Sequence, residues 1–139
     1  MTDDNLPAGT TVWVFGDQLN RRIGALGMAR PETHRILFVE ATEQIAGSRY
    51  HRQRLHLVLA GMRRLSAELR AAGFDVDHRV APTLLAGLEA HRAEHRPSRV
   101  AATEPLSWGL RRMLQRHDVD LVRSNQFLCH PDEFARWAA

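Results

Sequence analysis

The sequence predicts an α/β fold in three layers, with a mostly parallel five-stranded sheet between two sets of helices. Short β-branched or aromatic runs alternate with helix-period segments along the whole chain. Each run is closed by a glycine, proline or carboxylate that suits a turn. The 139 residues, 44% of them hydrophobic, are enough to bury one core and fit one domain over residues 1–139.

The first strand is Thr11–Phe15, stopped by Gly16-Asp17. A polar, glycine-containing stretch follows from Asn20 to His34. Arg35–Glu40 is the second strand, ending on a carboxylate. The clearest helix runs from Tyr50 to Ala72, because Leu55, Val58, Leu59, Met62, Leu65 and Leu69 make one apolar stripe. Gly73 offers a left-handed cap to that helix. Phe74–Val80 is a third strand. A second helix begins near Pro82 and stops before Pro97, since the residue preceding proline resists helical geometry. Arg99–Thr103 is a fourth strand, Trp108–His117 a third helix, Asp120–Ser124 a fifth strand and Asp132–Ala138 a terminal helix. Strand–helix alternation of this kind favours parallel strands joined by crossovers.

Composition narrows the function classes. All 19 basic residues are arginine, so the sequence pI of about 10.3 overstates a net charge of only +3. Direct nucleic-acid contact is therefore not expected from charge. The acidic, polar start MTDDNLPAGT does not read as a secretory signal, and no apolar run is long enough to span a bilayer. The single cysteine, Cys129, excludes an intrachain disulfide and a four-cysteine cluster. A cytoplasmic location and no membrane partner are expected.

In an open parallel sheet, ligands bind outside the carboxyl ends of the strands. Three strand ends carry suitable groups: Gly16-Asp17-Gln18, Glu40 and Thr103-Glu104. Gly16 would let a ligand approach the backbone. The carboxylates accept hydrogen bonds, and Gln18 both donates and accepts. His51 and Arg54 open the long helix, whose free N–H groups would face the same crevice. Trp108 opens the third helix and is placed to cover a planar ligand. His91 and His95 lie four apart, but on an expected exposed face with no third ligand in view, so no metal site is assigned. No Walker lysine exists, and G-x-G-x-x-G, G-x-S-x-G and H-E-x-x-H are absent. No nucleophile and base stand at recognisable spacing, so no catalytic residue is assigned.

Five segments recur together in order: Phe15-Gly-Asp-Gln-Leu19, Leu37-Phe-Val-Glu40, Ala60–Leu69, Thr103-Glu-Pro-Leu-Ser-Trp108, and Phe127-Leu with Phe134-Ala-Arg-Trp-Ala138. The chain thereby resembles the N-terminal domain of the deoxyribodipyrimidine photolyase-related proteins, the bacterial iron–sulfur branch of the cryptochrome/photolyase family. The resemblance implies a Rossmann-like fold holding an antenna chromophore, 6,7-dimethyl-8-ribityllumazine or a flavin-like relative. It implies that Gly16, Asp17, Gln18, Val39, Glu40 and Glu104 border the pocket. Where the family carries a His-His-Lys-Lys-type run, this chain has Tyr50-His-Arg-Gln-Arg54. In that family FAD and the iron–sulfur cluster belong to a C-terminal helical domain that repairs DNA by light-driven electron transfer. These 139 residues contain no such domain, so the chain alone is not expected to repair DNA. Its expected partners are a small planar chromophore and the C-terminal domain in cis, or a second copy meeting it through an apolar patch. A ligand-free interaction module or stand-alone paralogue is the alternative.

Overall fold

Eleven elements follow in order in the computed structural model, which describes residues 5–47 and 51–139. They are β1 (Thr10–Trp13), α1 (Gly24–Met28), β2 (Arg35–Ala41), α2 (Thr42–Gly47), α3 (Arg52–Ala71), β3 (Asp75–Ala81), α4 (Leu84–His95), β4 (Arg99–Thr103), α5 (Trp108–Arg116), β5 (Val119–Val122) and α6 (Pro131–Ala138). The expected five strands are present, each within two residues of its expected bounds. The Tyr50 start expected for the long helix lies outside the described residues. Two short helices, α1 and α2, occupy stretches too brief to display a period in sequence.

All strands are parallel, in the order β3-β2-β1-β4-β5. Side chains alternate across the sheet, so each central strand feeds two cores. Val12, Val14, Ile36 and Phe38 meet Leu26 of α1 and Met62, Leu65 and Leu69 of α3. Trp13, Phe15, Leu37 and Val39 meet Leu88 of α4 and Leu114 of α5 on the opposite face. The result is the three-layer sandwich the alternation implied, with the Rossmann-like character the family resemblance implied.

Local signals set the helix boundaries. Thr83 Oγ1 accepts from the Ala86 N–H at 3.0 Å at the start of α4, as an N-cap should. Gly73, at φ +91°, turns the chain after α3 in the left-handed conformation that glycine adopts without strain. Arg96 ends α4 at φ 45° just before Pro97.

Helix α4 packs tightly on β2 because Gly87 carries no side chain at the crossing. A Cβ there would sit 2.5 Å from Val39 Cγ1 and 2.7 Å from Cγ2. Val39 is buried and stiff at χ1, so it has little room to retreat. Two effects of Gly87→Ala oppose each other. Helix propensity favours alanine by up to about 1 kcal/mol, whereas overpacking costs about 1–3 kcal/mol. The clash is expected to win, lowering the denaturant midpoint, and adding Val39→Ala should recover part of the loss.

Candidate functional site

Helix α3 contains 20 residues, which at 1.5 Å each gives about 30 Å of length. Its neighbours β2 and β3 have seven residues each, about 23 Å at the usual strand rise. The apolar stripe of α3 therefore divides in two. Met62, Leu65 and Leu69 are buried against the sheet, while Leu55, Val58 and Leu59 are only half-buried at its carboxyl edge.

Beneath that overhang lies a cavity of about 340 Å³ over the ends of β1 and β2. Its floor is Phe15, Gly16, Asp17, Val39, Glu40 and Ala41. Gln44 and Ile45 of α2 close one side, and Leu84, Ser107 and Leu110 from the starts of α4 and α5 close another. Arg54 stands at the α3 wall beside Leu55, Val58, Leu59 and Met62. The wall is mainly hydrocarbon with a few polar groups, the usual make-up of a small-molecule site.

Five of the nine sequence-predicted site residues line this cavity: Gly16, Asp17, Val39, Glu40 and Arg54. Two of them act differently from the expectation. A Cβ on Gly16 would lie 2.6 Å from Val58 Cγ1, so its missing side chain admits the helix as well as opening onto the cavity. Glu40 is not a strand-end residue but lies within β2, facing α3. Its two oxygens accept from Arg63 Nε at 2.9 Å and Arg63 NH2 at 2.8 Å, and His78 Nε2 lies 2.8 Å from Oε1. The Arg63 hydrogen bonds hold its carboxyl below the ordinary glutamate range, helped by His78 and opposed by burial.

The other four residues sit elsewhere. Gln18 is buried, and its Nε2 donates to the Thr103 carbonyl at 3.1 Å and toward that of Glu104 at 3.5 Å. It thereby fills the crevice between β1 and β4, where strand order reverses, and the open space lies one strand over. His51 is the N-cap of α3, its Nδ1 accepting from the Gln53 N–H at 3.3 Å. Trp108 is 78% exposed and is not among the residues lining the cavity. Sequence reading missed Gln44, Ile45, Leu84, Ser107 and Leu110. The half of the apolar stripe extending past the sheet was the available signal for Leu55, Val58 and Leu59.

Glu104 is a structural anchor. Its Oε2 accepts from the Ser124 N–H at 3.2 Å and lies 2.8 Å from His130 Nε2, while Arg111 NH2 donates to Oε1 at 3.2 Å. His130 caps α6, accepting from the Asp132 N–H. One carboxylate thus ties the last strand and the terminal helix to the end of β4. Burial pushes the Glu104 pKa up, but hydrogen bonds from His130 and Ser124 outweigh it and leave the pKa below 4.5. Such a group stabilises the fold above its ordinary pKa, and this contribution is lost as pH falls through the lowered folded value. Glu104→Ala should cost about 1–3 kcal/mol near neutral pH and speed proteolysis around Arg123. The stability difference from wild type should vanish in acid, as chemical denaturation across pH would show.

Comparison with known proteins gives the family of the chain. A (6-4) photolyase from Agrobacterium fabrum (strain C58 / ATCC 33970) is 29% identical over 140 residues, covering 92% of this chain and 28% of that protein. The chain thus spans little more than a quarter of that relative's length. The sequence pattern of the deoxyribodipyrimidine photo-lyase-related proteins matches residues 12–139, from β1 through α6, and the chain belongs to that family.

Proposed function

We propose that this domain holds a planar, near-UV- or blue-absorbing chromophore, of ribityllumazine or flavin type, in the cavity over β1 and β2. In this reading it is the antenna domain of a photolyase-related protein engaged in light-dependent DNA repair or light sensing. The observation that carries the reading is the cavity's position: Gly16, Asp17, Val39 and Glu40, four of the six residues the family resemblance assigns to the chromophore, form part of its floor.

The cavity suits such a ligand in size and chemistry. About 340 Å³ falls within the range of small-molecule sites. Leu55, Val58 and Leu59 offer an apolar wall to a ring face, with Phe15 and Val39 opposite. Asp17, Gln44, Arg54 and Ser107 supply donors and acceptors for ring nitrogens and sugar-alcohol hydroxyls. When bound, the chromophore supplies absorption and energy transfer. The chain's own residues bind, orient and desolvate it. FAD and an iron–sulfur cluster belong, on this reading, to the helical domain of longer relatives, since one cysteine cannot hold a four-cysteine cluster.

A second reading draws on the surface. Leu106, Trp108, Phe127, Leu128, Phe134 and Trp137 are all more than half exposed, an apolar character that marks interaction surfaces. The occupant would be the helical domain of a longer chain or a second copy of this one. Sedimentation analysis at rising concentration should show self-association that Trp137→Glu weakens. A strict monomer at high concentration would count against the second-copy form.

The antenna reading is tested by titrating the chain with 6,7-dimethyl-8-ribityllumazine and following ligand fluorescence. Saturable one-to-one binding is expected. Leu55→Trp should weaken it at least about tenfold by filling the space, the equivalent of losing about 1.4 kcal/mol. Trp108→Ala, away from the cavity, should leave affinity within about twofold. Absence of binding by both lumazine and flavin would sink the proposal.

A further inference from the structure

A second cluster of polar groups lies outside the cavity, where α4 covers β3. His91 was expected on an exposed face, but it is fully buried. The reason is position: α4 crosses the sheet so that His91 Nε2 reaches Thr11 Oγ1 on β1 at 2.9 Å, while Nδ1 lies 2.6 Å from Asp77 Oδ2 on β3. His95, one turn later, brings Nε2 to 3.3 Å from the same oxygen. The two imidazole rings are 4.9 Å apart at their centroids. Asp77 is therefore the third partner that the His-x-x-x-His spacing lacked in sequence. It comes from a strand separated from α4 by a turn, and only the fold shows that it faces the helix.

We propose that Asp77, His91 and His95 form a binding site for a divalent first-row transition cation, with zinc as the expected occupant. One ligand atom from each residue lies within 4.8 Å of the others. A tetrahedral zinc ion with bonds of about 2.0–2.1 Å needs ligand atoms roughly 3.4 Å apart. The His95–Asp77 separation already fits, and the His91–Asp77 pair needs to open by less than about 1 Å. The second contact of His91 has the form that metal-bound imidazoles show: the nitrogen away from the ligand position is fixed by a hydrogen-bond partner, here Thr11.

The local charge also favours a cation. Arg79 Nε donates to Asp77 at 2.6 Å, and its other end pairs with Glu94. Two carboxylates against one guanidinium give these three groups a charge of −1. Glu94 offers a further carboxylate oxygen, 3.6 Å from His95 Nε2. His95 is partly exposed and Glu94 largely so, giving an entry side, while His91 closes the inner wall. None of these residues lines the cavity over β1 and β2, so the site stands apart from the chromophore reading.

The test uses the untagged 139-residue chain, stripped with chelator and titrated with Co²⁺ and then Zn²⁺. One Co²⁺ per chain is expected, with visible d–d absorption that Zn²⁺ abolishes by displacement. A zinc excess of about a hundredfold over Kd should raise the melting temperature by about 5–10 °C. His95→Ala, on the partly exposed last turn of α4, should weaken uptake at least tenfold and remove the cobalt band. His56→Ala, on the exposed side of α3, should change neither. Should His95→Ala fail to fold by circular dichroism, His95→Gln replaces it. No saturable uptake, or uptake unchanged in the His95 variant, overturns the proposal.

Discussion

A helix longer than the strands it packs against must extend past them, and the rest of this molecule is arranged around that mismatch. Only the carboxyl-terminal half of α3 finds sheet beneath it. The amino-terminal half keeps its apolar stripe but covers a cavity instead of a core. Gly16 lets the helix lie low over the end of β1, and Gly87 lets α4 press on β2 from the other face. The two close approaches frame the same strand ends. Val39 belongs to both, since it touches Gly87 from within the core and forms part of the cavity floor.

This explains which parts of the architecture were legible in the sequence. Buried parallel strands are mostly apolar runs, and Thr11–Phe15, Arg35–Glu40 and Arg99–Thr103 stand out in the sequence as such. Five- and six-residue helices have no room to show a period, so α1 and α2 did not. The carboxyl ends of β1 and β2 border the cavity, but between β1 and β4 Gln18 bonds the Thr103 carbonyl, although a glutamine there could equally have faced a ligand. Nothing in the local sequence distinguishes a glutamine that hydrogen-bonds a ligand from one that clamps Thr103. The choice depends on how close β4 lies. The same holds for Glu104, whose partners Ser124 and His130 are 20 and 26 residues away. His91 was misplaced for the opposite reason. Histidine on a helix rich in Arg and Glu reads as solvated, and burial came from a crossing angle that sequence does not carry.

The electrostatic design repeats one unit three times. Glu40 is held by Arg63 and His78, Glu104 by Arg111 and His130, and Asp77 by Arg79 and His91. In each, a carboxylate at a strand or its end receives a guanidinium from one side and an imidazole from the other. With no lysine in the chain, arginine's planar fork does this work, and at Glu40 it engages both oxygens at once. A buried carboxylate with fewer donors would be costly, so the pairs let polar groups stand at the sheet's edge without destabilising it. They also join elements that share no hydrophobic core, as Glu104 does for α6.

The third unit differs from the other two in the number of imidazoles. Glu40 and Glu104 each meet a single ring, one imidazole nitrogen within hydrogen-bond distance of the carboxylate. Asp77 meets two, His91 and His95, together with Arg79, all converging on Oδ2. Arg79 Nε and His91 Nδ1 already take up the two lone pairs of that oxygen, so His95, 3.3 Å away, is in excess as a donor to it. A cation resolves the excess by a different route, taking lone pairs from both imidazoles and from the carboxylate, so that the rings no longer compete as donors. The convergence that crowds a hydrogen-bond acceptor is the arrangement a metal requires, and that distinguishes this cluster from two others built of the same residue types.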